Sequence, residues 1–149
     1  MFTKKASARE AARASRGAAM LDQVLPGWEQ YVDTKTLDLY SSQRCVLAQL
    51  ALNDRRVLSH GPEWLCVTPF AVGMTYLREE LRRRRLPSWW GIEEVGFCPS
   101  FFGDISNGGL RRAWTVEIKR RRHQTKCKAK AAKALRILPV TEQEYDLVA

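Results

Sequence analysis

A chain of 149 residues, 45% hydrophobic and 28% charged, is long enough to bury one core without disulfide or metal staples. Its net charge of +9 is uneven: residues 1–20 carry +4, residues 21–110 carry −2, residues 111–136 carry +10 and the last thirteen carry −3. No run approaches the ~20 apolar residues of a membrane span, and Cys45, Cys66, Cys98 and Cys127 include no CxxC pair, so a membrane protein, a disulfide scaffold and a zinc ribbon are all disfavoured.

The N-terminal MFTKKASAREAARASRG is basic and rich in Arg, Ala and Ser, in the manner of a transit peptide, but it lacks the apolar stretch of a secretory signal. The alanine density of residues 5–24 predicts a helix instead. Its apolar side chains gather late, at Ala18, Met20, Leu21, Val24 and Leu25, so the last two turns are expected to dock while the first ones fray. Pro26-Gly27 ends the helix, and Trp28 with Tyr31 folds back onto it. After a short extended or turn-like run over 34–39, Ser41 or Ser42 is a candidate cap for a second helix over 42–52 with Val46, Leu47 and Leu50 inward and Cys45 a small buried hydrophobe.

That run, MLD…PGW…VD…LDLYSSQRCVLAQL over 20–50, resembles a group of small proteins of actinobacterial phages, in which a leucine-rich helix, PGW, an aspartate-rich turn, LDL, paired serines and CVLGQL follow one another. The resemblance resumes at Gly96-Phe97 and over 110–118, so it covers about a third of the chain and lapses in the 103–109 loop, in the middle section and at both charged ends. Those phage proteins are uncharacterised. The resemblance therefore implies a compact fold and a place in the cytoplasm of a bacterial host, and implies no chemistry.

Asn53, Asp54, Arg55 and Arg56 break the apolar pattern, and 57–67 reads as a loop around Gly61-Pro62 with Trp64 as a tether. Thr68-Pro69 is a clean helix start, and Phe70, Met74, Leu77 and Leu81 trace one face to about residue 86. Arg82, Arg83, Arg84 and Arg85 close that helix; they read either as solvated charge at the negative end of the dipole or as a secondary phosphate-binding patch. Glu79 is placed to pair with Arg82 or Arg83. A short helix over 89–95, capped by Ser88 and closed by Gly96, precedes an apolar turn and the Gly- and Asp-rich loop. The last helix starts near Leu110 with Asn107 as a cap; Leu110, Ala113 or Trp114, and Ile118 are its buried stripe, which stops by His123 although helix-forming residues continue. Leu135, Ile137 and Leu138 are candidates to dock back on the body.

Catalytic signals are weak. His60 has only Glu63 near it in sequence, and His123 with Cys127 at i, i+4 supplies two metal ligands where a site needs three or four. Gly108-Gly109 could receive an anion on its backbone N–H groups, but without the lysine and spacing of a phosphate loop. No enzyme, cofactor or metal is expected. The expected fold is mainly α: a compact bundle of about four helices around Trp28, Leu47, Leu50, Phe70, Leu77, Leu81, Phe97 and Trp114, with a basic C-terminal helix. It divides into a basic, frayed segment 1–15, a globular domain 16–118 and a basic helix with an acidic tail over 119–149.

The functional expectation rests on Arg111, Arg112, Lys119, Arg120, Arg121, Arg122, Lys126, Lys128, Lys130 and Lys133. Such a density of cations gives affinity for DNA or RNA by counterion release; few aromatics are interleaved after Trp114, which argues against base stacking, and no helix-turn-helix, zinc-finger or RNP signature supports sequence readout. The alternative is an accessory protein that binds an acidic host protein through the basic helix and an apolar patch, with Trp89-Trp90 or residues 135–140 as the patch.

Overall fold

Ser7 opens the first helix with a capping box: its side chain accepts the Glu10 backbone N–H, and the Glu10 carboxylate takes the Ser7 N–H at 2.6 Å. In this computed structural model, which describes residues 5–59, 68–86, 96–97 and 107–137, that helix is α1, Ala8–Val24. There follow a 3₁₀ turn Trp28–Tyr31, then α2 Val46–Asn53, α3 Arg55–Leu58, α4 Pro69–Arg83 and α5 Asn107–Ile137, with no strand among the described residues. The fold is a mainly helical bundle, and no helix among the described residues is long and apolar enough to cross a membrane.

The expected fraying of the first turns is not what the described residues show. Glu10, Ala14, Gly17, Ala18, Leu21 and Val24 form one buried line along all of α1, because small residues at this spacing let α5 lie close. The divisions expected after residues 15 and 118 therefore fall inside continuous helices, α1 and α5.

α2 begins at Val46, later than the serines suggest. The Ser41 hydroxyl instead accepts the N–H groups of Gln43 and Arg44, holding a turn that competes with the helix. The buried amide of Gln49 fixes the preceding loop: it accepts the Asp33 N–H at 2.6 Å and donates to the carbonyls of Asp33 and Arg44 at 3.2 and 2.9 Å. Asp54 caps α3, so Val57 and Leu58 are helical where a loop is expected from sequence. Thr68 caps α4 as its sequence predicts, its hydroxyl accepting the Ala71 N–H.

α4 lies against α2 at Gly73, where a Cβ would stand 2.5 Å from the carbonyl oxygen of Leu47. The core expected from sequence is present, with Phe70 only half buried at the mouth of α4. Cys45 is buried and Cys127 is exposed. His60, Cys66, Cys98, Trp64, the 89–95 helix, Trp89-Trp90 and the acidic tail lie outside the described residues. Gly73→Ala should lower unfolding stability by about 2 kcal/mol, since backbone rather than a side-chain tip must move; urea denaturation of the variant measures it.

Candidate nucleic-acid interface

α5 has two halves with different surroundings. From Gly109 to Arg122 it lies on α1 and the Trp28–Tyr31 turn, burying Leu110, Ala113, Trp114 and Ile118. From His123 to Arg136 every residue is exposed. At 1.5 Å per residue this second half reaches about 20 Å along the helix axis. Leu135 is 68% exposed, so the expected docking of that side chain on the body does not occur.

Indole packing sets the attachment. Trp28 and Trp114 are fully buried and meet edge to face, with ring centroids 5.8 Å apart, while Phe97 stacks on Trp114 at 5.4 Å. Each indole N–H has an acceptor: Trp28 donates to Asp22 at 2.9 Å and Trp114 to the Gly96 carbonyl at 2.5 Å. Gly96 has φ of +73°, and a Cβ there would lie 2.9 Å from the backbone of Arg13, which fixes glycine at this crossing.

This arrangement divides the ten cations expected to bind nucleic acid. Arg121 is only 11% exposed; its guanidinium donates to both Asp22 oxygens at 2.8–3.0 Å and to Glu117, and lies 5.7 Å from the Trp28 ring centroid. Arg122 donates to the carbonyls of Glu29, at 2.9 Å, and Val32, closing the open end of the 3₁₀ turn, while Thr125 donates to the Glu29 carboxylate. Arg120 pairs with Glu117 at 2.7 Å, and Arg111 donates to the Lys35 carbonyl at 3.2 Å. Arg121 and Arg122 therefore hold the helix in place, and their position beside Lys119 and Arg120 in the chain gave no sign of it.

The other six, Arg112, Lys119, Lys126, Lys128, Lys130 and Lys133, are exposed with no hydrogen-bond or ion-pair partner among the described residues. Arg112, Lys119, Lys126 and Lys133 stand seven residues apart, and Lys130 is four beyond Lys126. A seven-residue step drifts only about 20° around a helix, so these five make one row on the side opposite the buried stripe. The row is about 32 Å long. Lys128 points away from it, some 160° around the axis. The heptad spacing was present in the sequence; the direction of the row required the buried stripe to be located first.

The secondary arginine patch is partly neutralised. Glu80, rather than the expected Glu79, pairs with Arg83 at 2.6 Å and Arg84 at 3.3 Å, and the Arg83 guanidinium holds the Glu80 carboxyl below its usual range. Arg85 adopts the left-handed conformation, φ 55°, turning the chain out of the helix. Gly108-Gly109 does meet an anion, one from this chain: a Cβ on Gly109 would fall 2.1 Å from either oxygen of the Glu10 carboxylate. His123 Nε2 lies 3.6 Å from Cys127 Sγ, and no group of three or more metal-ligating side chains occurs among the described residues.

Burial pushes the Asp22 carboxyl up, but the Arg121 guanidinium and the Trp28 N–H outweigh it and hold it below the ordinary carboxylate range. A depressed carboxyl stabilises the fold above its unfolded pKa, about 4, and that contribution is lost as pH falls through the folded value. Asp22 is 46% exposed, so solvent screening limits the pair to about 1 kcal/mol. Asp22→Asn should thus be about 1 kcal/mol less stable than the wild type at pH 7, with the gap closing below about pH 4 in chemical denaturation. Arg121→Ala should cost about 2 kcal/mol by the same measurement, since it removes the bonds to Glu117 and the contact with the Trp28 ring as well, whereas Lys126→Ala should change stability little. Comparison of the chain with protein-family models, curated proteins and solved structures finds no match.

Proposed function

We propose that this is a non-enzymatic accessory binding protein of phage type, which contacts nucleic acid through the outer face of α5 with weak sequence specificity. The observation that carries this reading is the row Arg112, Lys119, Lys126, Lys130 and Lys133: five cations, without partners among the described residues, in line on the side of α5 turned away from the body. A solvated helix gains nothing from aligning like charges, which repel along the row, and a polyanion relieves that repulsion. The free half of α5 carries no Trp, Tyr or Phe and a single ring, His123, at its root, too little for a base-stacking platform, which favours contact with the phosphate backbone. The apolar elements of the alternative host-protein reading lie mostly outside the described residues, and Leu135 alone does not make a patch.

Five phosphate contacts give a slope of about −4.5 for log K against log salt on duplex DNA, or roughly 500-fold weaker binding at 200 than at 50 mM salt. Neutralising Arg121 or Arg122 would confuse binding with undocking of the helix. The informative variant is Lys126→Gln/Lys130→Gln/Lys133→Gln, which leaves the packed half intact. Gel-shift titration should show its slope reduced by about 3 and its helicity unchanged. Failure of the wild type to bind DNA or RNA at 50 mM salt overturns the reading.

A further inference from the structure

A second group of cations lies beside the row, assembled from three separate parts of the chain. Lys5 ahead of α1, Lys35 in the loop before α2, and Arg111, Arg112 and Lys119 on α5 line an open groove of about 960 Å³. Thr34, Thr115, Ala6, Gly108 and the 63% exposed Val116 complete its wall, with no carboxylate among the described lining residues. The Glu10 carboxylate is turned into the capping box of α1 and against Gly109, and the Asp33 carboxylate accepts the Lys35 backbone N–H at 2.9 Å. The attraction of the groove for an anion therefore comes from side-chain charge rather than from the start of α5.

Folding brings these five cations together with no acidic side chain among the described residues of the lining, an arrangement that disfavours the compact state unless an anion occupies it. The Arg111 guanidinium is held in position by the Lys35 carbonyl. The volume is near the upper end of small-ligand sites, room for a sugar–phosphate segment rather than one small anion. Arg112 and Lys119 belong both to the groove and to the row, so the two surfaces are continuous.

We infer that the groove seats a segment of the same phosphodiester chain that runs along α5, with Lys5 and Lys35 contacting phosphates that the helix alone does not reach. The inference rests on the nucleic-acid reading above and extends the footprint from one helix to the body of the protein. Thr34 offers a hydroxyl to the sugar–phosphate edge, while Val116 and Ala6 give the sugar an apolar wall.

Lysine acetylation of the intact protein, read by mass spectrometry with and without nucleic acid, tests this directly. One arm uses duplex DNA and the other a structured RNA of equal length, so the source of the phosphodiester is decided by which arm protects. Lys5, Lys35, Lys119, Lys126, Lys130 and Lys133 should all lose reactivity, while Lys128, on the other side of α5, stays reactive. Protection of Lys126, Lys130 and Lys133 with Lys5 and Lys35 still reactive would overturn the groove and leave the helix reading standing. Protection nowhere, in either arm, would overturn both. A Lys5→Gln/Lys35→Gln variant gives an independent measure: its salt slope should fall by about 2 relative to the wild type, and an unchanged slope counts against the groove.

Discussion

The position of α5 depends on a contact between two tryptophans and what surrounds them. Trp28 and Trp114 come from opposite ends of the chain and meet with no exposed surface. Each buries an area worth about 4 kcal/mol as an upper estimate. Apolar area alone would allow the helices to slide or turn. The indole N–H groups remove that freedom, since each must keep its acceptor: Asp22 on α1 for one, Gly96 for the other. Arg121 then closes the arrangement, joining Asp22 of α1, Glu117 of α5 and the face of Trp28. The register between α1 and α5 is set by polar groups around an apolar contact, a division of labour that gives both adhesion and direction.

A fixed first half has a consequence for the second. Residues 123–136 have good helix formers but no buried face, and such a segment is marginal by itself. Helix formation is limited by its first turn, and here that turn is already made: the docked residues 109–122 supply the template from which the rest propagates. The tertiary contact thus stabilises a structure that it touches only at its root, through Thr125 and the Glu29 carboxylate. It also fixes which way the projecting lysines face. If α5 turned by a third of a circle on α1, the row would rotate with it and lose its continuity with Lys5 and Lys35.

The elements that local chemistry decides were legible in the sequence. Thr68-Pro69, Pro26-Gly27 and the buried stripe Leu110, Trp114 and Ile118 each act through residues near in the chain, and each appears where expected. The late start of α2 was misread because two local rules competed at Ser41 and Ser42, and the hydroxyl-closed turn won over the helix cap. Early docking of α1 was missed for a different reason: Ala14, Gly17 and Ala18 look like a weak apolar face, yet small side chains are what a close helix crossing needs. The site was half legible. Charge density marked the candidate segment, but density does not distinguish Arg121, held under Trp28, from Lys126, which has no partner among the described residues. Nor does any pattern near residue 111 announce that Lys5 and Lys35 will join it, since folding alone brings them there.

The division between arginine and lysine on α5 bears on what kind of recognition the row supports. Arg111, Arg120, Arg121 and Arg122 are all committed to partners within the chain, whereas Lys119, Lys126, Lys128, Lys130 and Lys133 have none among the described residues. A guanidinium presents donors in a rigid plane, so it suits fixed acceptors such as Asp22 or the carbonyls of Glu29 and Val32. The same geometry would suit the paired acceptors of a guanine edge, the commonest specific contact in the major groove. On the free half of α5 that tool is nearly absent: past Arg122 the only arginine is Arg136, beyond the end of the row. Lysine ammonium groups on flexible stems follow phosphates wherever they lie and read little about the bases between them. On the proposed nucleic-acid reading, a row made mostly of lysine, on a helix held rigid at its root, would grip a backbone at many positions along the polymer and would choose poorly among them.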